Sequence, residues 1–302
     1  MTNIARLKEA ISKFDSIHVL VIGDIILDRF MWGSVSRISP EAPVPIVEIK
    51  EESTMLGGAA NVFSNLRALS AQSMLFGVVG ADVEGATILE MVRAQNSSSD
   101  GIEIFQGHRT STKVRVIAQS QQIVRFDREM ILDLPQEYFE MACARINSFH
   151  FDIVIISDYD KGLISEDFLQ SLNFNGCPVL MDTKSGKIEY CKYADILTSN
   201  VDEIAKLGGP MMIPCPVILI TKGKAGVELL EQGRPALRIP SKVKEVFDVS
   251  GAGDTVTAVM ALGVAAGLSY SESAELANAA AGVVVGKVGT ATLTKEELLE
   301  CI

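Results

Sequence analysis

The stretch Asp152–Asp182, DIVIISDYDKGLISEDFLQSLNFNGCPVLMD, reads as strand, loop, helix, loop, strand. Asp152–Ser157 and Pro178–Asp182 are short β-branched runs of the length of buried strands. Between them Ser165–Leu172 spaces its apolar residues near 3.6, the period of a helix face. The run is as long as one βαβ unit, about 30 residues, so its strands lie parallel and its crossover is right-handed.

Outward from this unit the rhythm continues. Strand-like runs recur at His18–Gly23, Met74–Val79 and Pro216–Thr221, and helix-like stretches at Ala59–Leu69, Glu84–Ala94, Pro135–Ser148 and Asp202–Leu207. The alternation predicts an α/β fold, a doubly wound, mostly parallel sheet flanked by helices. Composition agrees: only 6% of residues are aromatic, and the small and β-branched residues that pack tightly between helix and sheet abound. The chain reads as a single domain over 1–302.

Two stretches break the rhythm. Pro43–Ile49 (PVPIVEI) and Thr112–Asp127 (TKVRVIAQSQQIVRFD, with a turn near Ser120–Gln121) have strand composition and no helix to carry a crossover. They predict a small separate β-sheet, drawn from about 33–50 and 108–127, that covers a site as a lid. The alternating Val114, Val116 and Ala118 give it an apolar face, which predicts a homodimer paired through the lid.

A net charge of -11 offers no basic face for nucleic acid or an anionic membrane, so neither is an expected partner. An anionic substrate must then be held by local donors. Residues 1–14 carry charges throughout, without the apolar core of a signal peptide, and the longest apolar runs fall far short of a membrane span. This points to the cytoplasm. The five cysteines include no CxxC pair and the three histidines are scattered, so no zinc constellation forms.

Three glycine-rich elements carry the chemistry. Asp248–Asp254 (DVSGAGD) leads into a long small-residue helix. Gly251 and Gly253 let successive amides converge on an anion at a helix N-terminus, and Asp254 in the first turn can take a proton from an attacking hydroxyl. The same acid could instead simply complement the helix dipole. Gly57-Gly58-Ala59-Ala60-Asn61 allows close backbone approach to a ligand, with Asn61 able to donate to and accept from hydroxyls. Gly23–Asp28 (GDIILD) lies at the carboxyl end of the first strand, where open α/β sheets bind ligands; Asp28 is a candidate acceptor for hydroxyls and Asp24 a structural residue.

In this order and spacing, GD…LD, GGAAN and DVSGAGD resemble the ribokinase-type (PfkB) carbohydrate kinases over essentially the whole chain. The longer strings Ser36–Ile49 (SRISPEAPVPIVEI), Ser157–Gly162 (SDYDKG) and Asn278–Thr290 (NAAAGVVVGKVGT) resemble, within that family, the kinases of heptose 7-phosphate in ADP-heptose synthesis. The resemblance implies a ribokinase-like fold, ATP and Mg2+, and admits a monovalent cation such as K+. It makes Asp254 the catalytic base and the amides of Gly251, Ala252 and Gly253 the anion hole. Asp28, Gly57, Gly58 and Asn61 become sugar-binding positions, and Asp158 is taken as substrate-binding with them. Arg37, Lys161 and Lys184 are candidate cations for a distal phosphate, each readable instead as a solvated surface charge. Asn200 and Glu203 match an NxxE element that organises magnesium, with Glu203 acting through water. Thr221, Gly223, Gly226 and Asn278 fall on the nucleotide side. A separate adenylyltransferase is expected in the same pathway. Departures are small: Asp182-Thr183-Lys184 and Thr198-Ser199-Asn200 each lack a proline usual in the family. The competing readings are a ribokinase-type kinase for another sugar or sugar phosphate, and a non-catalytic sugar- or nucleotide-binding regulator on the same fold.

Overall fold

The computed structural model describes residues 4–119, 121–174, 176–241 and 247–302. After helix α1 (Ile4–Ser12) the chain forms β1 (His18–Gly23) and, with Asp24 alone between them, β2 (Ile25–Ile38) and then β3 (Pro45–Gly58). Next come α2 (Ala59–Ala68), β4 (Gln72–Gly80), α3 (Val83–Ala94), β5 (Ile102–Phe105), β6 (Ser111–Ala118) and β7 (Gln121–Arg128). The second half alternates α4 (Gln136–Ile146), β8 (Ile153–Asp158), α5 (Glu166–Ser171), β9 (Val179–Thr183), β10 (Ile196–Asn200), α6 (Val201–Lys206) and β11 (Val217–Thr221). A hairpin, β12 (Val227–Glu231) and β13 (Leu237–Ile239), precedes α7 (Ala252–Ala265), α8 (Tyr270–Val284) and α9 (Lys295–Glu300).

The expected doubly wound sheet is present. Nine strands run in the order β13-β12-β11-β10-β9-β8-β1-β4-β5, parallel from β11 to β5. Its central strands are buried on both faces, and alternate residues feed two cores. Val19, Val21, Ile153 and Ile155 pack under α1, α2, α3, α7, α8 and α9; Leu20, Ile22, Val154 and Ile156 pack under α4, α5 and α6. Helix α7 is buried almost throughout, which its small residues permit.

A second sheet of four strands, β3-β2-β6-β7, stands apart. It is mixed: β2 pairs antiparallel with β3 and parallel with β6, and β6 pairs antiparallel with β7. It draws on 25–58 and 111–128, more than the 33–50 and 108–127 read from sequence. Strands β2 and β3 extend it equally, by 25–32 and 51–58, because Gly23–Asp28 reads as a strand end and loop and Gly57-Gly58 as a helix entry. Asp28 is therefore a strand residue of the second sheet. Ser120, at the expected hairpin turn, lies outside the described residues. The three apolar residues expected to face a partner, Val114, Val116 and Ala118, are buried within the chain; the exposed apolar residues opposite them on the same face are Phe126 and Val124.

Candidate active site

The DVSGAGD loop delivers Asp254 into the first turn of α7. Asp248 shapes the loop by accepting from the Ser250 amide at 2.9 Å and the Gly289 amide at 3.0 Å. Gly251 takes φ +77°, and a Cβ there would stand 2.6 Å from Asn61 Nδ2, so only glycine fits. Asp254 is buried, and both its oxygens are held: Asn61 Nδ2 donates to Oδ2 at 2.7 Å and the Tyr159 hydroxyl donates to Oδ1 at 2.9 Å. Burial and the nearby Asp182 push its carboxyl up to about 6, against the opposing pull of the Asn61 bond, Lys184 and the Tyr159 bond. Such a group is ionised at neutral pH yet readily takes a proton, as a general base must. Beside it Gly253 is exposed, with open space where a Cβ would point. No acceptor among the described residues meets the amides of Gly251 and Gly253.

The carboxyl ends of β1, β8 and β9 supply the next layer. Asp24 Oδ2 accepts from the amides of Tyr159 (2.8 Å) and Lys161 (3.1 Å), fixing the SDYDKG loop so that Tyr159 reaches Asp254. Burial, and then Asp158, push Asp24 up to about 7 despite those amide bonds. Register pairs Ser157 with Asp182 across β8 and β9, which carries Asp182 and Lys184 to the same edge. Lys184 Nζ bridges Asp182 Oδ1 at 2.6 Å and Glu203 Oε1 at 3.1 Å. Burial alone would lower the Lys184 ammonium, but the two carboxylates reverse this and hold it above its ordinary value. Glu203 is fixed by a capping box at the start of α6: its Oε2 accepts from the Asn200 amide at 2.8 Å, and its own amide donates to Asn200 Oδ1 at 2.9 Å.

The second sheet presents Asp28, which forms an ion pair with Arg115 of β6. A Cβ on Gly57 would stand 2.2 Å from Asp28 Oδ2, and Gly58 takes φ +59° as the chain enters α2. Lys113 pairs in register with Asp28, and its ammonium sits over the Tyr159 ring, 5.2 Å from the centroid. The assembly thus unites the buried carboxylate of Asp254, amides with no described acceptor at a helix N-terminus, a carboxylate–ammonium cluster and, on the second sheet, the carboxylate of Asp28. It suits transfer of a phosphoryl group to a hydroxyl.

Over residues 16–297 the chain matches the pfkB family carbohydrate kinase. It belongs to that family. The bifunctional protein HldE of Desulfatibacillum aliphaticivorans is 39% identical over 312 residues, covering 95% of this chain and 63% of the relative. That of Sulfurimonas denitrificans is 40% identical over 310 residues, covering 94% and 64%. The chain spans just under two thirds of the length of these curated relatives. Two solved structures share its fold: Arabidopsis thaliana ribokinase complexed with ribose and ATP (TM-score 0.75, 20% identity, 94% of this chain and 98% of that one) and Escherichia coli phosphofructokinase-2 (0.77, 15%, 94% and 97%).

Within this pfkB kinase fold the site departs from the sequence reading at several positions. The Ala252 amide is not open to an anion, since it donates to the Val249 carbonyl at 3.2 Å. Asn61, expected to meet a sugar hydroxyl, is fully buried and donates its amide to Asp254. Asp158 turns both oxygens to protein, accepting from the Asp160 amide and the Thr183 hydroxyl. Lys161 is paired with Glu129, and Lys184 is committed to Asp182 and Glu203. Arg37 is exposed near the far end of β2, nine residues and about 30 Å of strand beyond Asp28. None of these three cations is placed as a distal-phosphate ligand.

On the nucleotide side, Thr221 ends β11 and Gly223 opens the turn into β12. Gly226 is demanded by packing, because a Cβ would stand 2.1 Å from the Ile239 carbonyl. Asn278 donates to the Pro240 carbonyl at 2.9 Å and so staples α8 to the loop after β13. Sequence reasoning missed Tyr159, Lys113 and Arg115. The signal was available for the last two: they alternate with Val114 and Val116, so one strand face is basic where the other is apolar.

Proposed function

We propose that this chain transfers the terminal phosphoryl group of ATP to the anomeric hydroxyl of D-glycero-β-D-manno-heptose 7-phosphate, giving the 1,7-bisphosphate used in ADP-heptose synthesis. The observation that carries the kinase reading is Asp254, held between Asn61 and Tyr159 beside the open amides of Gly251 and Gly253. The HldE-named relatives, at 39–40% identity, support the choice of sugar. Asp254 takes the hydroxyl proton; the hydroxyl oxygen forms the new bond to the γ-phosphorus; the bond from that phosphorus to the β,γ-bridging oxygen breaks, and ADP leaves with its electron pair. The Gly251 and Gly253 amides meet charge on the transferring group. Asp28, kept in place by Arg115 and Gly57, accepts from hydroxyls on the rest of the sugar.

Magnesium would arrive on the nucleotide phosphates, neutralising their charge. Among the described residues no cluster of three or more metal-ligating side chains exists, and both Glu203 oxygens already have partners, so Glu203 fits a contact through water. The second sheet acts as the lid that excludes water, and its outer face, where Val124 and Phe126 are about half exposed, pairs with a second copy of the chain. No helix of the described residues is long and apolar enough to cross a membrane, which fits a cytoplasmic reaction. A separate adenylyltransferase acts later in the same pathway.

The test is ADP release with heptose 7-phosphate against a panel of other sugars and sugar phosphates, with 31P NMR of the product and K+ exchanged for Na+ in parallel. A bisphosphate formed only from the heptose supports the reading. Faster turnover of another sugar replaces the substrate and leaves the kinase standing.

A further inference from the structure

Four described cations lie on the strand and loops that carry Asp28, Tyr159 and Asp182 or pair with them. Arg115 pairs with Asp28, Lys161 with Glu129, and Lys184 with Asp182 and Glu203. Lys113 alone pairs with no carboxylate among the described residues. Asp28, Asp127 and Glu129 are near enough to act on its charge, yet none forms an ion pair with it. Its position is nonetheless defined. It shares a sheet face with Asp28 and Arg115, and its ammonium rests on the ring of the tyrosine whose hydroxyl binds Asp254.

A half-buried ammonium that no described carboxylate pairs with directly, in a chain of net charge -11, is placed to take an anion from outside. Its distance from the base limits what that anion is. Nζ lies 5.2 Å from the Tyr159 ring centre and the hydroxyl of that ring 2.9 Å from Asp254. With about 2.8 Å from ring centre to hydroxyl oxygen, the ammonium stands within about 11 Å of the base. From an acceptor hydroxyl across a sugar ring to a phosphate at the end of its exocyclic carbon chain spans about 7–9 Å by bond lengths.

We infer that Lys113 is the receptor for a phosphate already present on the acceptor sugar and makes the enzyme selective for sugar phosphates over neutral sugars. This rests on the reading of Asp254 as the base and of Asp28 as the sugar's second contact. It replaces Arg37, Lys161 and Lys184 in that role. Lys113 grips the phosphate from the lid, so a phosphorylated acceptor also draws the lid onto the site.

The experiment compares kcat/KM for sugar phosphates, heptose 7-phosphate first among them, with that for their neutral parents in wild type, Lys113→Gln and Lys113→Arg. The wild type should favour the phosphates; Lys113→Gln should lower that preference about 10–150-fold, and Lys113→Arg should keep most of it. An unchanged preference in Lys113→Gln, an equal loss on both substrates, or a rise in KM for ATP instead would overturn the inference. Without any variant, inorganic phosphate should protect Lys113 of the wild type from acetylation, read by mass spectrometry, and a neutral sugar should not; equal labelling with and without phosphate also overturns it. Should a different sugar phosphate prove the substrate, the heptose reading falls and Lys113 keeps its role. A wild type that prefers neutral sugars removes the role itself.

Discussion

The hydroxyl of Tyr159 donates to Asp254 Oδ1 at 2.9 Å, joining a loop after β8 to the first turn of α7 across 95 residues of sequence. This bond stabilises the ionised carboxylate, whereas burial and Asp182 oppose ionisation. A base must be ionised to accept the sugar's proton, so activity should fall as pH drops through about 6. Tyr159→Phe keeps the ring and removes the donor, so the carboxyl should rise further. The acid limb of the kcat/KM profile should then move upward by about one pH unit. An unmoved limb with unchanged kcat would show that the bond has no part in tuning the base.

Gly57 is expected to be intolerant of substitution for a reason local to Asp28. A Cβ placed 2.2 Å from Asp28 Oδ2 forces that carboxylate off its pairing with Arg115. Gly57→Ala should raise KM for the sugar about tenfold or more, the scale of one charged contact, and leave KM for ATP little changed. Parallel titrations of the two substrates separate the effects, and equal rises would mean that the whole site had shifted.

Much of the fold was legible because parallel strands buried on both faces are continuous β-branched runs, such as Val217–Thr221. Strand β10 escaped because ILTSN is short and half polar, and its tail is spent on capping α6 through Asn200. In the site, Asp254 could be read locally from its glycine loop. Tyr159 and Asp182 could not, and Lys184 could be read as a site cation but not as the partner of Asp182 and Glu203, since these groups meet only through the register of β8 with β9 and the hydrogen bonds of Asp24. Arg37 misled for the opposite reason: its neighbourhood in sequence is close to Asp28, but an unbroken strand carries it away.

The lid's outer face makes the assembly testable. Phe126 is 51% exposed, opposite the buried Val114 in register. Phe126→Glu puts a charge into the proposed interface and removes nothing from the core. Light scattering should report a dimer for the wild type and a monomer for the variant. A wild-type monomer, or a dimer indifferent to the change, would place any interface elsewhere.

Burying the ionised Asp254 has a stability cost whose sign is fixed by its pKa. The folded value of about 6 lies above the ordinary 3.8, so stability is lost as pH rises between these values, and the loss is complete above about 6. Two pH units correspond to about 3 kcal/mol. Asp254→Asn should therefore unfold at higher temperature than the wild type at pH 8, with the difference shrinking towards pH 4. Equal melting temperatures at both pH values would mean that the carboxylate is better solvated than its burial implies.

That same variant tests the central claim most directly, because its expected stability removes misfolding as an explanation for lost activity. The measurement is turnover of Asp254→Asn at saturating ATP and heptose 7-phosphate. If Asp254 is the base, kcat falls about 10²–10⁴-fold while both substrates still bind. Turnover near that of the wild type would contradict the account.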